Sequence, residues 1–149
     1  MIVVGRSLAA SAWENHGVPR YYSLDEANAR LAELRPLLER LQADRDRVAE
    51  QQAELVSFRG TNGNANHAEE LTRREAAIAA IVADMEAAVR RLEAWDVTLR
   101  DIGTGLVDFP ALASGRPIWL CWRLGETDIA WWHELSTGIA GRKPLLELT

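Results

Sequence analysis

The chain has 149 residues, 48% of them hydrophobic, which is one domain's worth of core and enough to fold without staples. A formal charge of −5 and a pI near 5.2 speak against a nonspecific nucleic-acid binder, which needs a basic face to neutralise phosphates. The single cysteine excludes an intrachain disulfide and points to a reducing, cytoplasmic setting, and no apolar run reaches the ~20 residues that cross a bilayer.

Residues 1–20 carry an apolar stretch broken by Gly5 and Arg6, with no basic n-region ahead of it. They read as a poorly ordered or loosely docked extension rather than a signal peptide, and the domain proper is expected to span 21–149. Its first element starts at Ser23, where Ser23 and Glu26 fit a capping box. Leu24, Ala27, Leu31, Leu34, Leu38, Leu41, Val48 and Leu55 then follow a heptad stripe to about Val56, interrupted by Arg45 and Gln52. Pro36 falls on the outer face of that helix, where it bends the rod instead of clashing with a partner.

A polar connector, 59–66, separates this helix from a second one capped by Asn66 and Glu69. Leu71, Ile78, Met85 and Leu92 repeat every seven residues along it, among alanines that permit close helix approach. Two long helices joined by so short a link must run antiparallel. Such a pair buries only one stripe on each helix, so either the C-terminal region or a second copy covers the open face.

After Trp95 the period changes from 3.6 to 2. Val97–Ile102, Leu106–Phe109, Ile118–Leu124 and Ile129–Glu134 are predicted as short strands, the last two forming a hairpin with a two- or four-residue loop. An even loop sets Trp119, Cys121 and Arg123 on one face with Trp132 and Glu134. It sets His133 on the other with Trp122, so the lone thiol and this imidazole are expected to point apart. The predicted fold class is therefore α+β: a helical hairpin over 21–95 packed with an antiparallel sheet of three or four short strands in 96–149.

Several distinctive strings occur in order: Tyr-Tyr-Ser-Leu-Asp-Glu-Ala-Asn at 21–28, Gly-Leu-Val-Asp-Phe-Pro-Ala at 105–111, Cys-Trp-Arg-Leu-Gly-Glu at 121–126, Trp-His-Glu at 132–134 and Gly-Arg-Lys-Pro at 141–144. Over roughly Tyr21 to Leu145 the chain resembles the bacterial family known as domain of unknown function 2203. The resemblance implies a shared fold and a shared set of polar residues: Asp108, Arg123, Glu126, His133, Glu134 and Arg142. It implies no activity.

Known catalytic strings are missing. His133-Glu134 opens like a zincin motif, but Thr137 stands where the second histidine belongs, and Gly103-Thr-Gly105 lacks the third glycine and the helix of a dinucleotide fingerprint. His133 reads either as a base or ligand oriented by Asp108 or Glu126, or as a half-buried ring among Trp122 and Trp131. Arg123 reads as a fork for a carboxylate or phosphate, or as an internal partner of Glu126, Asp128 or Glu134. Glu126 is a ligand or a solvated turn residue, Asp108 binds turn amides, Arg142 folds back onto a carboxylate or stays exposed, and Cys121 is a small buried hydrophobe.

The leading expectation is a non-enzymatic interaction or scaffold module that forms a homodimer through its helices. The alternative is a protein or enzyme that binds a small anion or a metal at Asp108, Arg123, Glu126, His133, Glu134 and Arg142. No catalytic residue, cofactor or metal set is assigned, and neither membrane nor nucleic acid is expected as a partner.

Overall fold

The computed structural model describes residues 20–61, 63 and 65–148. The expected N-terminal extension, Arg20 apart, lies outside the described residues. The first helix, α1, spans Leu24–Arg59, and at 1.5 Å per residue its 36 residues make a rod of about 54 Å. The predicted capping box is complete: the Ser23 amide donates to Glu26 Oε1 at 2.8 Å and the Glu26 amide donates to Ser23 Oγ at 3.1 Å. Pro36 sits exposed inside the continuous helix. The second helix, α2, spans Ala65–Ala94 and packs antiparallel to α1 as a hairpin.

Five strands follow: β1 (Thr98–Asp101), β2 (Leu106–Ala113), β3 (Arg116–Arg123), β4 (Trp131–His133) and β5 (Lys143–Pro144). They form one antiparallel sheet in sequential order. The strand count exceeds the expected three or four because the short Lys143–Pro144 segment pairs with β4.

Pro110 to Gly115, expected as a connector, is mostly strand, and only Ser114 and Gly115 turn the chain. Both have positive φ, 53° and 79°, as a two-residue hairpin requires. Pro110 is tolerated inside β2 because its carbonyl accepts from the Tyr22 amide at 2.8 Å. Its nitrogen therefore lies on the side of β2 away from the β3 ladder, beyond the end of β1, where no donor is needed.

The sheet closes one half of the hairpin. Leu31, Leu34, Leu38 and Leu41 of α1 join Val107, Phe109, Leu120, Trp122 and Trp132 in a single buried cluster. Tyr22 fastens it: the phenol donates to the Trp95 carbonyl at 2.6 Å while the ring meets Phe109 edge-on at 5.1 Å. Gln42 donates to the carbonyls of Ile102 and Gly103, tying α1 to the β1–β2 turn.

Beyond this half the hairpin is thinly covered. In α1 only Asp44 and Leu55 are buried past Leu41, and α2 buries only Ile81 and Leu92. Asp44 is held within its own helix by Arg40 and Arg47. No helix among the described residues is long and apolar enough to cross a membrane.

Candidate metal centre

The site depends on which side chains the sheet register sends away from the helices. Asp108 pairs with Cys121, Cys121 with Trp131, and Trp119 with His133. Directly opposed residues share a face, so Asp108, Trp119, Cys121, Trp131 and His133 all project from the side opposite the helical core. The expected separation of Cys121 from His133 is thus overturned. Nine residues lie between the paired Cys121 and Trp131, an odd number, and an odd connector reverses the parity that a two- or four-residue loop imposes.

That connector is longer than a tight turn because α1 holds it. The Ile129 amide donates to Asn28 Oδ1 at 2.9 Å, the Arg35 guanidinium donates to the Thr127 carbonyl, and Trp122 Nε1 donates to the Glu126 carbonyl at 3.1 Å.

Asp108, Cys121 and His133 each offer one ligand atom within 4.8 Å of the others, and all three are buried, at 1%, 0% and 2% exposure. Asp108 Oδ2 accepts from Arg100 Nε at 2.8 Å and faces His133 Nε2 at 3.0 Å. Its other oxygen, Oδ1, is buried with no hydrogen-bond partner. An orphaned carboxylate oxygen of this kind is costly unless something else occupies it.

The histidine is oriented from behind, its Nδ1 lying 2.8 Å from the Glu134 carbonyl, so Nδ1 carries a proton and Nε2 faces the cluster. Burial lowers the imidazole pKa, but the hydrogen bond and charge of Asp108, together with the Glu134 carbonyl, outweigh it. The net pKa lies above the ordinary value. Burial, then the Asp108 charge, push the Cys121 thiol up to about 12. Without a cation beside it, this sulfur is a protonated and unreactive group.

A family model described as Uncharacterized conserved protein (DUF2203) matches residues 20–145. The chain belongs to this family. No curated protein and no solved structure matches it. The matched span contains all three cluster residues of this DUF2203 chain, both helices and the five strands.

Of the six residues expected at a site, only Asp108 and His133 belong to this cluster. Glu126 and Arg142 pair with each other, Arg142 Nη2 donating to Glu126 Oε2 at 2.7 Å, and Glu126 Oε1 accepts from the Arg123 amide at 2.9 Å. Glu126 is therefore a turn clamp, and Arg142 lies 4.6 Å above the ring of Trp131. Glu134 pairs with Arg116 through its side chain, so the expected grouping of Cys121, Arg123 and Glu134 does not form. The Arg123 side chain is exposed and makes no ion pair among the described residues.

Two residues were missed, Cys121 as a site member and Arg100 altogether. Arg100 is the extra residue of a β-bulge, where the β1–β2 register shifts between Leu99 and Asp101. Arg100 is two residues from Thr98, which pairs with Asp108, so its guanidinium shares that face, bonding Asp108 and lying 5.0 Å over the ring of Trp119. Spacing alone carries no trace of such a bulge.

Chemically the trio fits a first-row divalent ion. Thiolate, imidazole and carboxylate are zinc ligands, and a histidine whose Nδ1 donates to a backbone carbonyl has its ring and tautomer fixed with Nε2 ready to ligate. With ligands ~2.0–2.3 Å from zinc, neighbouring donors stand about 3.3–3.8 Å apart, and the trio's ligand atoms already lie within 4.8 Å of one another. Three protein ligands leave one position open. Asp108 and His133 also line a cleft of ≈ 360 Å³, together with Arg100 and the Leu135–Ile139 segment.

Proposed function

We propose that this protein binds a divalent metal of the zinc class through Asp108, Cys121 and His133. The observation that carries the reading is the buried, unpartnered Asp108 Oδ1 beside a buried sulfur and an imidazole nitrogen. A structural reading of the same residues accounts for Oδ2, which Arg100 and His133 satisfy, and has the thiol bond to the Asp108 carboxylate, but leaves Oδ1 without a partner. Metal binding gives both a partner, and a cation displaces the thiol proton that burial otherwise retains. A thiol ligand also supports placing the protein in a reducing, cytoplasmic compartment.

Zinc titration into protein stripped with chelator, followed by calorimetry, tests this directly. Wild type is expected to take one ion per chain. Cys121→Ala loses it while keeping the helical circular dichroism, because the helices and their leucine core lie on the other face of the sheet. Arg123→Ala, remote from the cluster in its contacts, binds as wild type does. A stripped wild type that takes up neither zinc nor cobalt ends this reading.

A second reading, self-association through the helices, draws support from a separate feature. Val56 and Val82 are 67% and 37% exposed. Leu41, Val48, Val82, Met85 and Val89 line an open groove along the hairpin. An apolar stripe of this kind suits a second copy of the chain.

A further inference from the structure

The cleft beside the cluster is lined by Asp108 and His133, by one cation, Arg100, and by the 135–139 segment. Leu106, Leu135 and Ile139 supply its hydrocarbon, and Ser136 and Thr137 add two hydroxyls. Arg100 is fixed in place by its Nε bond to Asp108 and by Trp119 beneath its guanidinium. Among the described residues its two Nη atoms make no hydrogen bond, so one edge of the fork is free for a ligand. The expected anion-capturing arginine was Arg123, and Arg100 is better placed for that task.

Charge decides what the cleft prefers. A divalent ion held by a thiolate, a carboxylate and a neutral imidazole is fully balanced, which leaves the Arg100 guanidinium as a single uncompensated positive charge. Glu126 and Arg142, which both act on the thiol, pair with each other, and the carboxylate of Asp101, next to Arg100 in the chain, is taken up by Thr104. A monoanion restores neutrality, whereas a phosphate dianion overshoots it. The planar fork of arginine matches a carboxylate in geometry as well as charge.

Resting on the metal reading, we infer that the cleft takes a short aliphatic carboxylate. One carboxylate oxygen occupies the open position on the metal and the other meets the Nη edge of Arg100. The hydrocarbon tail lies against Leu106, Leu135 and Ile139, and the cleft's ≈ 360 Å³ sits at the small end of ligand sites.

Cobalt-loaded protein provides the test, since thiolate-bound cobalt absorbs visible light and reports each change in its ligands. Cobalt is first titrated in anion-free buffer to saturation for every variant. Acetate, butyrate, hexanoate and inorganic phosphate are then added in turn. The carboxylates are expected to shift the cobalt bands, with butyrate binding at least tenfold more tightly than acetate and phosphate shifting them little. Arg100→Gln weakens butyrate at least tenfold. Ile139→Glu, at an exposed position on the cleft wall that tolerates charge, does the same and covers the case in which Arg100→Gln fails to fold.

A cobalt spectrum that ignores every carboxylate overturns the inference and leaves the metal reading standing. So does phosphate binding as tightly as butyrate, acetate binding as tightly as butyrate, or both variants binding butyrate as wild type does. Failure of cobalt to bind at all removes both readings together.

Discussion

Asp108 shows how much one side chain determines here. It lies between Val107 and Phe109, both of which point into the helical core, so the pleat turns its carboxylate to the opposite face. There it meets a guanidinium at 2.8 Å and an imidazole at 3.0 Å in nearly dry surroundings. Replacing a charged acceptor in such a place leaves its donors unmatched. Asp108→Asn in chelator is expected to lower stability by about 2–4 kcal/mol, read from urea unfolding. An effect within ~0.5 kcal/mol, the range of ordinary surface changes, denies the carboxylate any role in holding the face together. The sequence marks Asp108 and His133 as unusual because each is an ionisable residue inside an apolar strand. It does not mark Arg100, whose meeting with Asp108 depends on how β1 pairs with β2, or Cys121, which looks like any small apolar residue until the register is known.

Among the elements, α1 is the most legible because its signals agree: cap, stripe and length all specify one helix. Glu26 contributes through the capping box. The hydrogen bond from the Ser23 amide, followed by that of the Ser23 side chain, holds its carboxyl below the ordinary 4.5. A depressed folded-state pKa means that the charge stabilises the helix above 4.5 and that this contribution is lost as pH falls through the lower, folded value. Glu26→Gln should therefore melt below wild type at neutral pH, with the gap closing in acid, as thermal scans across that range will show. A gap that stays constant with pH removes the carboxylate from the capping argument.

The change from helix to strand after Trp95 was equally readable, since the hydrophobic period itself changes there. Parity within the sheet was not. It turns on whether the residues between β3 and β4 are odd or even in number, and the contacts from Asn28 and Arg35 that fix the long connector come from about a hundred positions away. Strand identity is a local property of these residues, whereas the face each one presents is set by a distant helix. The same distinction explains Pro110 to Ala113: proline and small residues suggest a loop, but a strand forms because β3 supplies its ladder and Tyr22 takes the proline carbonyl.

At the scale of the whole molecule the hairpin is covered by the sheet over only part of its length. Substituting charge at Leu38 or Leu41 looks from the heptad pattern like a test of dimer formation, yet both are 1% exposed within a single chain. Charge there would break the core and report on folding instead. Val56 and Val82 are the positions that separate the two effects, because each is exposed in the monomer. If two copies pair through this stripe, sedimentation velocity of wild type gives a dimer. The Val56→Glu, Val82→Glu double variant then sediments as a monomer with its helical content and its melting intact, since neither valine supports the core of its own chain. The dimer also has to bury on the order of 800 Å² per copy to be stable, more than one groove supplies, so both sides of the hairpin tip must take part. A wild type that sediments as a monomer at every concentration removes the self-association reading, leaves the proposed metal site untouched, and makes the exposed valines ordinary surface.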